Sequence, residues 1–259
     1  MPKLAANLSM MFNEVDFVAR FEAAARAGFK GVEYLFPYDY DKDELRTELD
    51  GHSLVQVLHN LPAGDWDAGE RGSACHPTRV GEFQDGVAKT IEYATALGCE
   101  QVNCLAGLAP AGLSDDALRE TFVSNLKFAA AELDKAGVTL LIEAINTRDI
   151  PGFYLQTTAQ ALAIVADVGS DNLKLQYDIY HMQIMEGDLT PTIETNLDMI
   201  RHMQLADNPG RHEPGTGEIN YPFLFGAIDD MGYDGWIGCE YKPLAATTDG
   251  LGWAQAYLQ

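Results

Sequence analysis

Eight times along this chain a short apolar run gives way to a longer segment whose apolar residues return at helical spacing, with a period of about thirty residues. That alternation leaves few architectures. Parallel strands need a long crossover between them, and the crossover is usually a helix. The expected strands are residues 3–9, 31–36, 54–58, 101–105, 138–143, the stretch 173–181, 202–206 and 236–240. The expected helices are 16–27, 41–49, 80–97, 114–135, 158–168, 189–199, 221–230 and 248–257, with Gly28, Gly98 and Gly137 as stops and Ser114 as a cap. Eight strands, each followed by a helix, in 259 residues match the count and length of one (β/α)8 TIM barrel of ~250 residues. No linker interrupts the alternation, so one domain over 1–259 is expected. A doubly wound open sheet is the alternative, but the first strand-to-helix turn, Ser9-Met10-Met11-Phe12-Asn13, lacks a glycine fingerprint.

Charge narrows the partners. With 39 acidic against 17 basic residues the net charge is -22, which repels phosphate backbones and anionic lipid. Nucleic acid and membrane are therefore not expected partners. No apolar stretch reaches membrane-spanning length, and the N-terminus has no uninterrupted apolar core of a leader. Cys75, Cys99, Cys104 and Cys239 form no C-x-x-C pair and read as reduced, buried thiols, so a cytoplasmic location is expected.

Chemistry gathers at the strand ends. Four consecutive strands finish in Glu143, Asp178, Gln204 and Glu240. In a barrel, the ends of neighbouring strands form one mouth, and active sites lie on the C-terminal face. Cys239, beside Glu240, then faces outward under the helices. Taken singly, each acid could merely open a solvated loop; taken together, they make an oxygen-rich cluster. Hard oxygens suit Mg²⁺ or Mn²⁺, whereas a catalytic zinc site usually brings in histidine or cysteine. Such an ion can stabilise an enediolate, and Glu143 and Glu240 could take a proton from one carbon and return it to the next. That is isomerase chemistry and needs no nucleotide or redox cofactor.

An anionic substrate in an acidic protein needs local positive charge. His59, His181, Arg71, Arg211 and His212 are candidates to supply it, each with a bland alternative as a cap, a core partner or a surface ion pair. The loop of residues 60–77, with Trp66, Glu70 and Arg71, is long enough to fold over the mouth, so Glu70 and Arg71 join the candidate substrate contacts and Arg71 is expected on a lid. Gly215-Thr216-Gly217 is too short for a phosphate loop and reads as a turn.

Longer strings carry a resemblance. They are Ala6-Asn7-Leu8-Ser9-Met10, Phe36-Pro37-Tyr38-Asp39-Tyr40, His59-Asn60-Leu61-Pro62-Ala63-Gly64-Asp65-Trp66, Gly69-Glu70-Arg71-Gly72 and Gln176-Tyr177-Asp178-Ile179-Tyr180-His181-Met182-Gln183. Ala206-Asp207-Asn208-Pro209, Glu213-Pro214-Gly215-Thr216-Gly217-Glu218-Ile219-Asn220-Tyr221 and Gly238-Cys239-Glu240-Tyr241-Lys242-Pro243 complete the set. End to end, the chain resembles the hydroxypyruvate isomerases within the xylose-isomerase-like TIM barrels. The resemblance implies reversible conversion of hydroxypyruvate to 2-hydroxy-3-oxopropanoate (tartronate semialdehyde), with Glu143 and Glu240 as proton donor and acceptor. It implies metal ligation by Glu143, Asp178, Gln204 and Glu240, and a small anionic 2-oxo or hydroxy acid as partner. Homo-oligomerisation stays open. Related ketose epimerases carry a histidine where Gln204 stands, and their substrate-gripping arginine falls near Arg211 with a one-residue slip. Isomerases of 2-oxo-tetronates share Glu218-Ile219-Asn220-Tyr221 and the Gly238–Pro243 string, whereas the loop from His59 to Trp66 and Asp178-Ile179-Tyr180-His181 side with the hydroxypyruvate group. Abasic-site endonucleases use the same barrel, but they need a basic track and a histidine-rich metal cluster. A sugar-acid binding protein would keep the pocket, yet would gain nothing from two matched carboxylates.

Overall fold

The computed structural model describes residues 1–258. Eight parallel strands pair in chain order and close on themselves: β1 (Lys3–Asn7), β2 (Gly31–Glu33), β3 (Val55–Asn60), β4 (Gln101–Cys104), β5 (Thr139–Glu143), β6 (Leu173–Asp178), β7 (Ile200–Leu205) and β8 (Trp236–Cys239). The helices are α1 (Ala19–Arg26), α2 (Lys42–His52), α3 (Val80–Leu97), α4 (Asp115–Lys135), α5 (Thr158–Val168), α6 (Ile179–Met185), α7 (Leu189–Asn196) and α8 (Tyr221–Asp230). The open sheet is thereby excluded.

Local chemistry sets most of the boundaries. Ser114 accepts the Ala117 N–H to cap α4, Asp41 accepts from Asp43 and Glu44 to open α2, and Gly98 closes α3 in the left-handed region. Several bounds differ by a few residues, such as β1 ending at Asn7 and α1 starting at Ala19, and three further expectations differ. β2 stops at Glu33, where its register against β3 shifts and the chain turns toward Pro37. The stretch after β6 is helical, because Asp178 accepts the N–H groups of Tyr180 and His181 and so starts α6. The C-terminal segment is 3₁₀ over Thr247–Ala254 rather than α-helical.

The main apolar core lies between strands and helices, and all four cysteines are free and buried, Cys239 among them. The barrel interior is different in character. Side chains two apart on a strand share a face. Ala5, Val57 and Leu141 form a small apolar cluster with Leu58 and Trp236, and one layer further on, Asn7, Glu33, Asn60, Asn103, Glu143, Gln204 and Glu240 are all buried. Buried polar groups persist only when hydrogen-bonded. Glu33, with no exposure, accepts from Asn7 Nδ2 at 2.9 Å and Gln204 Nε2 at 2.7 Å, and lies 2.7 Å from His202 Nε2. The space for this carboxylate comes from Gly238, where a Cβ would overlap it.

Gly238→Ala should therefore destabilise the barrel by more than a surface substitution does, since overpacking costs roughly 1–3 kcal/mol before any lost hydrogen bond is counted. A thermal melt indistinguishable from the wild type would show that Glu33 does not press on β8.

Candidate active site

A cavity of about 600 Å³ opens at the C-terminal ends of the strands. Met10, Leu35, Trp66 and Leu105 are among its apolar lining residues, and Glu143, His181, Arg211 and Glu240 among its polar ones.

Each acid is held differently. Glu143 accepts from Asn103 Nδ2 at 2.9 Å. Its pKa stands well above the usual carboxylate range, because burial and then the nearby Glu240 and Asp178 disfavour its charge. Asp178 spends Oδ1 on the start of α6, leaving Oδ2 3.5 Å from His181 Nε2 and 3.8 Å from Arg211. Burial raises its pKa although Arg211 and the two backbone donors oppose the shift. Glu240 accepts from Asn7 Nδ2 at 3.3 Å and forms an ion pair with Arg211. Burial pushes it up to about 7, against the pull of Arg211. Two buried glutamates with raised pKa values thus line one cavity, an arrangement that can hold and move a proton.

Arg211 is the cation among them. Burial works against its charge, but Glu240, Asp178 and Glu143 outweigh that and hold its pKa above the ordinary value. Its backbone is left-handed, at φ 59°, which a non-glycine residue adopts only when its surroundings enforce it. The enforcing residue is Asp207. Its fully buried side chain accepts the N–H groups of Asn208, Gly215, Gly217 and Ile219, and its backbone bonds Arg211 and His212.

The sequence-derived set divides. Glu143, Arg71, His181, Arg211 and Glu240 line the cavity. Arg71 stacks 4.0 Å over Trp66 and donates to the carbonyls of Trp66 and Glu70. Its loop is held by Gly72 N–H to Ala63 and Cys75 N–H to Ala106, and in this conformation Arg71 stands in the cavity wall. Glu70 is placed elsewhere: its carboxylate pairs with Arg79 at 2.8 and 2.9 Å and accepts the Asp65 N–H, tying the loop to the start of α3. His59 also lies outside the cavity lining. It is wholly buried beside Asn60 O and Tyr38 Oη, and burial pushes it down to about 4. Burial and Arg211 hold His181 well below the usual histidine value. Burial thus disfavours the cationic form of both imidazoles, and of the two only His181 lines the cavity. His212 bonds the Lys242 carbonyl and is not in the lining.

Gln204 lies across the ladder from Asp178. Its Nε2 donates to Glu33 and its Oε1 accepts from Gln176 Nε2 at 2.6 Å, which fixes the amide and leaves one oxygen lone pair free. Glu143, Asp178 and His181 offer ligand atoms within 4.8 Å of one another, so a buried Glu/Asp/His cluster is present that could hold a divalent ion. Sequence reasoning missed Lys242, a cation in the cavity wall, and Asn103, Asn146 and Asp149, which bond the site residues. Lys242 sat inside a quoted string, next but one to Glu240. The asparagines carried no periodic signal.

The sequence and structure have clear relatives. The family model for the xylose isomerase-like TIM barrel matches residues 21–257. The hydroxypyruvate isomerase of Escherichia coli K12 is 58% identical over 257 residues, covering 99% of this chain and 100% of that one. The 2-oxo-tetronate isomerase of Cupriavidus necator H16 is 50% identical over 258 residues, covering 100% and 99%. A crystal structure described as AP endonuclease, family 2, from Brucella melitensis superposes with a TM-score of 0.97 at 48% identity, covering 99% of each chain.

The low pKa of His59 has a consequence for stability. Between the unfolded value of 6.5 and the folded value of about 4, the unfolded chain takes up a proton that the folded chain refuses. The contribution is complete above the upper value and is lost as pH falls toward the lower, on the order of 3 kcal/mol in all. His59→Gln removes that term. The stability gap between wild type and variant, from urea denaturation, should narrow on going from about pH 7 to about pH 4. A constant gap would mean that His59 titrates as it does in the unfolded chain.

Proposed function

This chain belongs to the xylose isomerase-like TIM barrel family, and from that premise we propose that it interconverts hydroxypyruvate and 2-hydroxy-3-oxopropanoate. The observation that carries the reading is the pair of buried glutamates facing one cavity, with Glu240 pushed up to about 7 and Glu143 well above the carboxylate range. One glutamate, as carboxylate, removes a proton from C3 of hydroxypyruvate, and the electrons move onto the C2 oxygen as an enediolate. The other, as carboxylic acid, delivers a proton to C2. The C3 hydroxyl gives up its proton as the aldehyde forms, and the C2 oxygen gains one. Atoms and charge balance within the substrate, so no redox or nucleotide cofactor takes part.

The carboxylates of Glu143, Asp178 and Glu240 and the free lone pair of Gln204 would hold Mg²⁺ or Mn²⁺, which when bound supplies Lewis-acid stabilisation of the enediolate. The donor set fits a hard ion, since all four donors are oxygens. The substrate carboxylate needs a cation not already paired. Arg211 is engaged with Glu240, whereas among the described residues Arg71 and Lys242 form no ion pair with a carboxylate. Arg71, held by stacking on Trp66, is the stronger grip because its fork can bind a carboxylate through two N–H groups.

A second substrate is supported by size. The cavity far exceeds a three-carbon acid, so a four-carbon 2-oxo-tetronate, the substrate in the name of the Cupriavidus relative, also fits. DNA does not suit this surface, since a net charge of -22 repels a phosphate backbone. No helix among the described residues is long and apolar enough to cross a membrane. The buried free thiols favour the cytoplasm.

The test is to incubate the purified protein with hydroxypyruvate and follow the carbons by NMR, with a 2-oxo-tetronate as competitor. Glu143→Gln and Glu240→Gln should each lose ~10²–10⁴-fold in kcat with the melting temperature preserved, and a loss under about tenfold would contradict the acid–base assignment. Arg71→Ala should raise KM for hydroxypyruvate by more than it lowers kcat. Unchanged KM would move the carboxylate grip to Lys242 or Arg211.

A further inference from the structure

Asn146 is wholly buried three residues beyond Glu143, in the turn that leaves β5. Its Oδ1 accepts the backbone N–H of Arg148 at 3.0 Å and of Asp149 at 2.8 Å. An amide nitrogen cannot accept, so these two donors fix which end of the carboxamide is oxygen. Nδ2 must then face the other way, toward Asp149 Oδ2 at 3.2 Å and His181 Nδ1 at 2.6 Å. Because Nδ2 is only a donor, His181 Nδ1 has to be the acceptor and can carry no hydrogen. The imidazole then has its proton on Nε2. That nitrogen faces the acids, 3.5 Å from Asp178 Oδ2 and 3.9 Å from Glu143 Oε1. Tyr180 donates to the same Asp149 Oδ2 at 2.9 Å, so this segment holds α6 through two successive residues, Tyr180 and His181.

We propose that Asn146 is a positioning residue that locks His181 as the Nε2–H tautomer, making its cavity-facing nitrogen a hydrogen-bond donor to a substrate oxygen rather than a metal ligand. The proposal deepens the isomerase reading, and rests on it only for what the donor meets. A metal needs the lone pair of Nε2, and the proton occupies it. Of the close cluster Glu143, Asp178 and His181, only the carboxylates remain as ligands, in keeping with an all-oxygen site. A fixed N–H beside the glutamates is placed to stabilise the oxygen on which the enediolate charge develops.

The experiment uses the whole protein, with ¹⁵N-labelled histidine and no added metal. Long-range ¹H–¹⁵N spectra assign the tautomer, and loss of signal in His181→Gln picks out its ring among the six histidines. The wild type should show a protonated Nε2 and a bare Nδ1, unchanged on adding Mg²⁺. A proton on Nδ1, or loss of the Nε2 proton with Mg²⁺, would overturn the proposal without any variant being made. Asn146→Asp keeps an oxygen for the two backbone donors and turns an acceptor toward Nδ1, so the proton should move to Nδ1. Its kcat should fall by about 10²–10³-fold with KM little changed. If the tautomer moves and kcat does not, His181 is no donor to the reacting oxygen. If the wild type shows the Nε2–H tautomer but never turns over hydroxypyruvate, the lock stands and the isomerase reading falls.

Discussion

Four carboxylates, Glu33, Glu143, Asp178 and Glu240, are buried at one end of a closed barrel, and three of them surround one arginine. Charges of one sign in so small a buried volume cannot all be ionised without compensation. Arg211 supplies part of it, hydrogen bonds supply more, and protonation meets the rest. The raised pKa values of Glu143, Asp178 and Glu240 follow directly, since burial leads the causes in each. The unusual backbone at Arg211 follows too. A cation can reach this cluster only from a loop, and the loop that carries it is folded around the buried side chain of Asp207.

Glu33 joins this cluster to a tier of buried amides that move no proton in the proposed chemistry but hold the groups that do. Asn7 donates to both Glu33 and Glu240; Gln204 donates to Glu33 and accepts from Gln176. Glu33 thus meets two amides at once and fixes their orientation. Deleting one member of such a network leaves a buried partner unpaired, which costs more than the bond itself contributes. His202 Nδ1, Gln176 Oε1 and Asn103 Oδ1 have no hydrogen-bond partner among the described residues. They are the places where this tier has spare capacity, and two of them belong to residues that bond Gln204 and Glu143 directly.

The sequence read well where one physical rule decided the outcome. Helices α3, α5 and α8 have the expected bounds, because glycine stops and helical periodicity agree there, and the barrel follows from eight alternations. Glu143, Asp178 and Glu240 were legible because an acid closing an apolar strand is costly and conspicuous. α6 was not, since Asp178 does double duty as strand end and helix cap, and seven residues are too few for a period. Glu70 and His59 misled for one reason: a charged or titratable side chain near the mouth was read as facing it. Glu70 turns to Arg79, nine residues on, and His59 turns into the protein. Neither direction can be read from spacing. The same holds for Asn103 and Asn146, whose partners are 40 and 35 residues away.

An anion must still enter a protein of net charge -22 and come to rest beside carboxylates. Distance and screening make this possible. Most of the acidic residues lie on the outer surface, where water and salt weaken them beyond about 10 Å. At the cavity wall the balance is different: Arg71, Arg211 and Lys242 stand against Glu143, Glu240 and Asp149, and two of those acids have pKa values raised by burial. Each proton held by Glu143 or Glu240 removes a negative charge at the point where the substrate carboxylate would feel it most. The burial that prepares these glutamates for proton transfer therefore also lowers the barrier to binding an anion, and a more solvated site would lose both effects together.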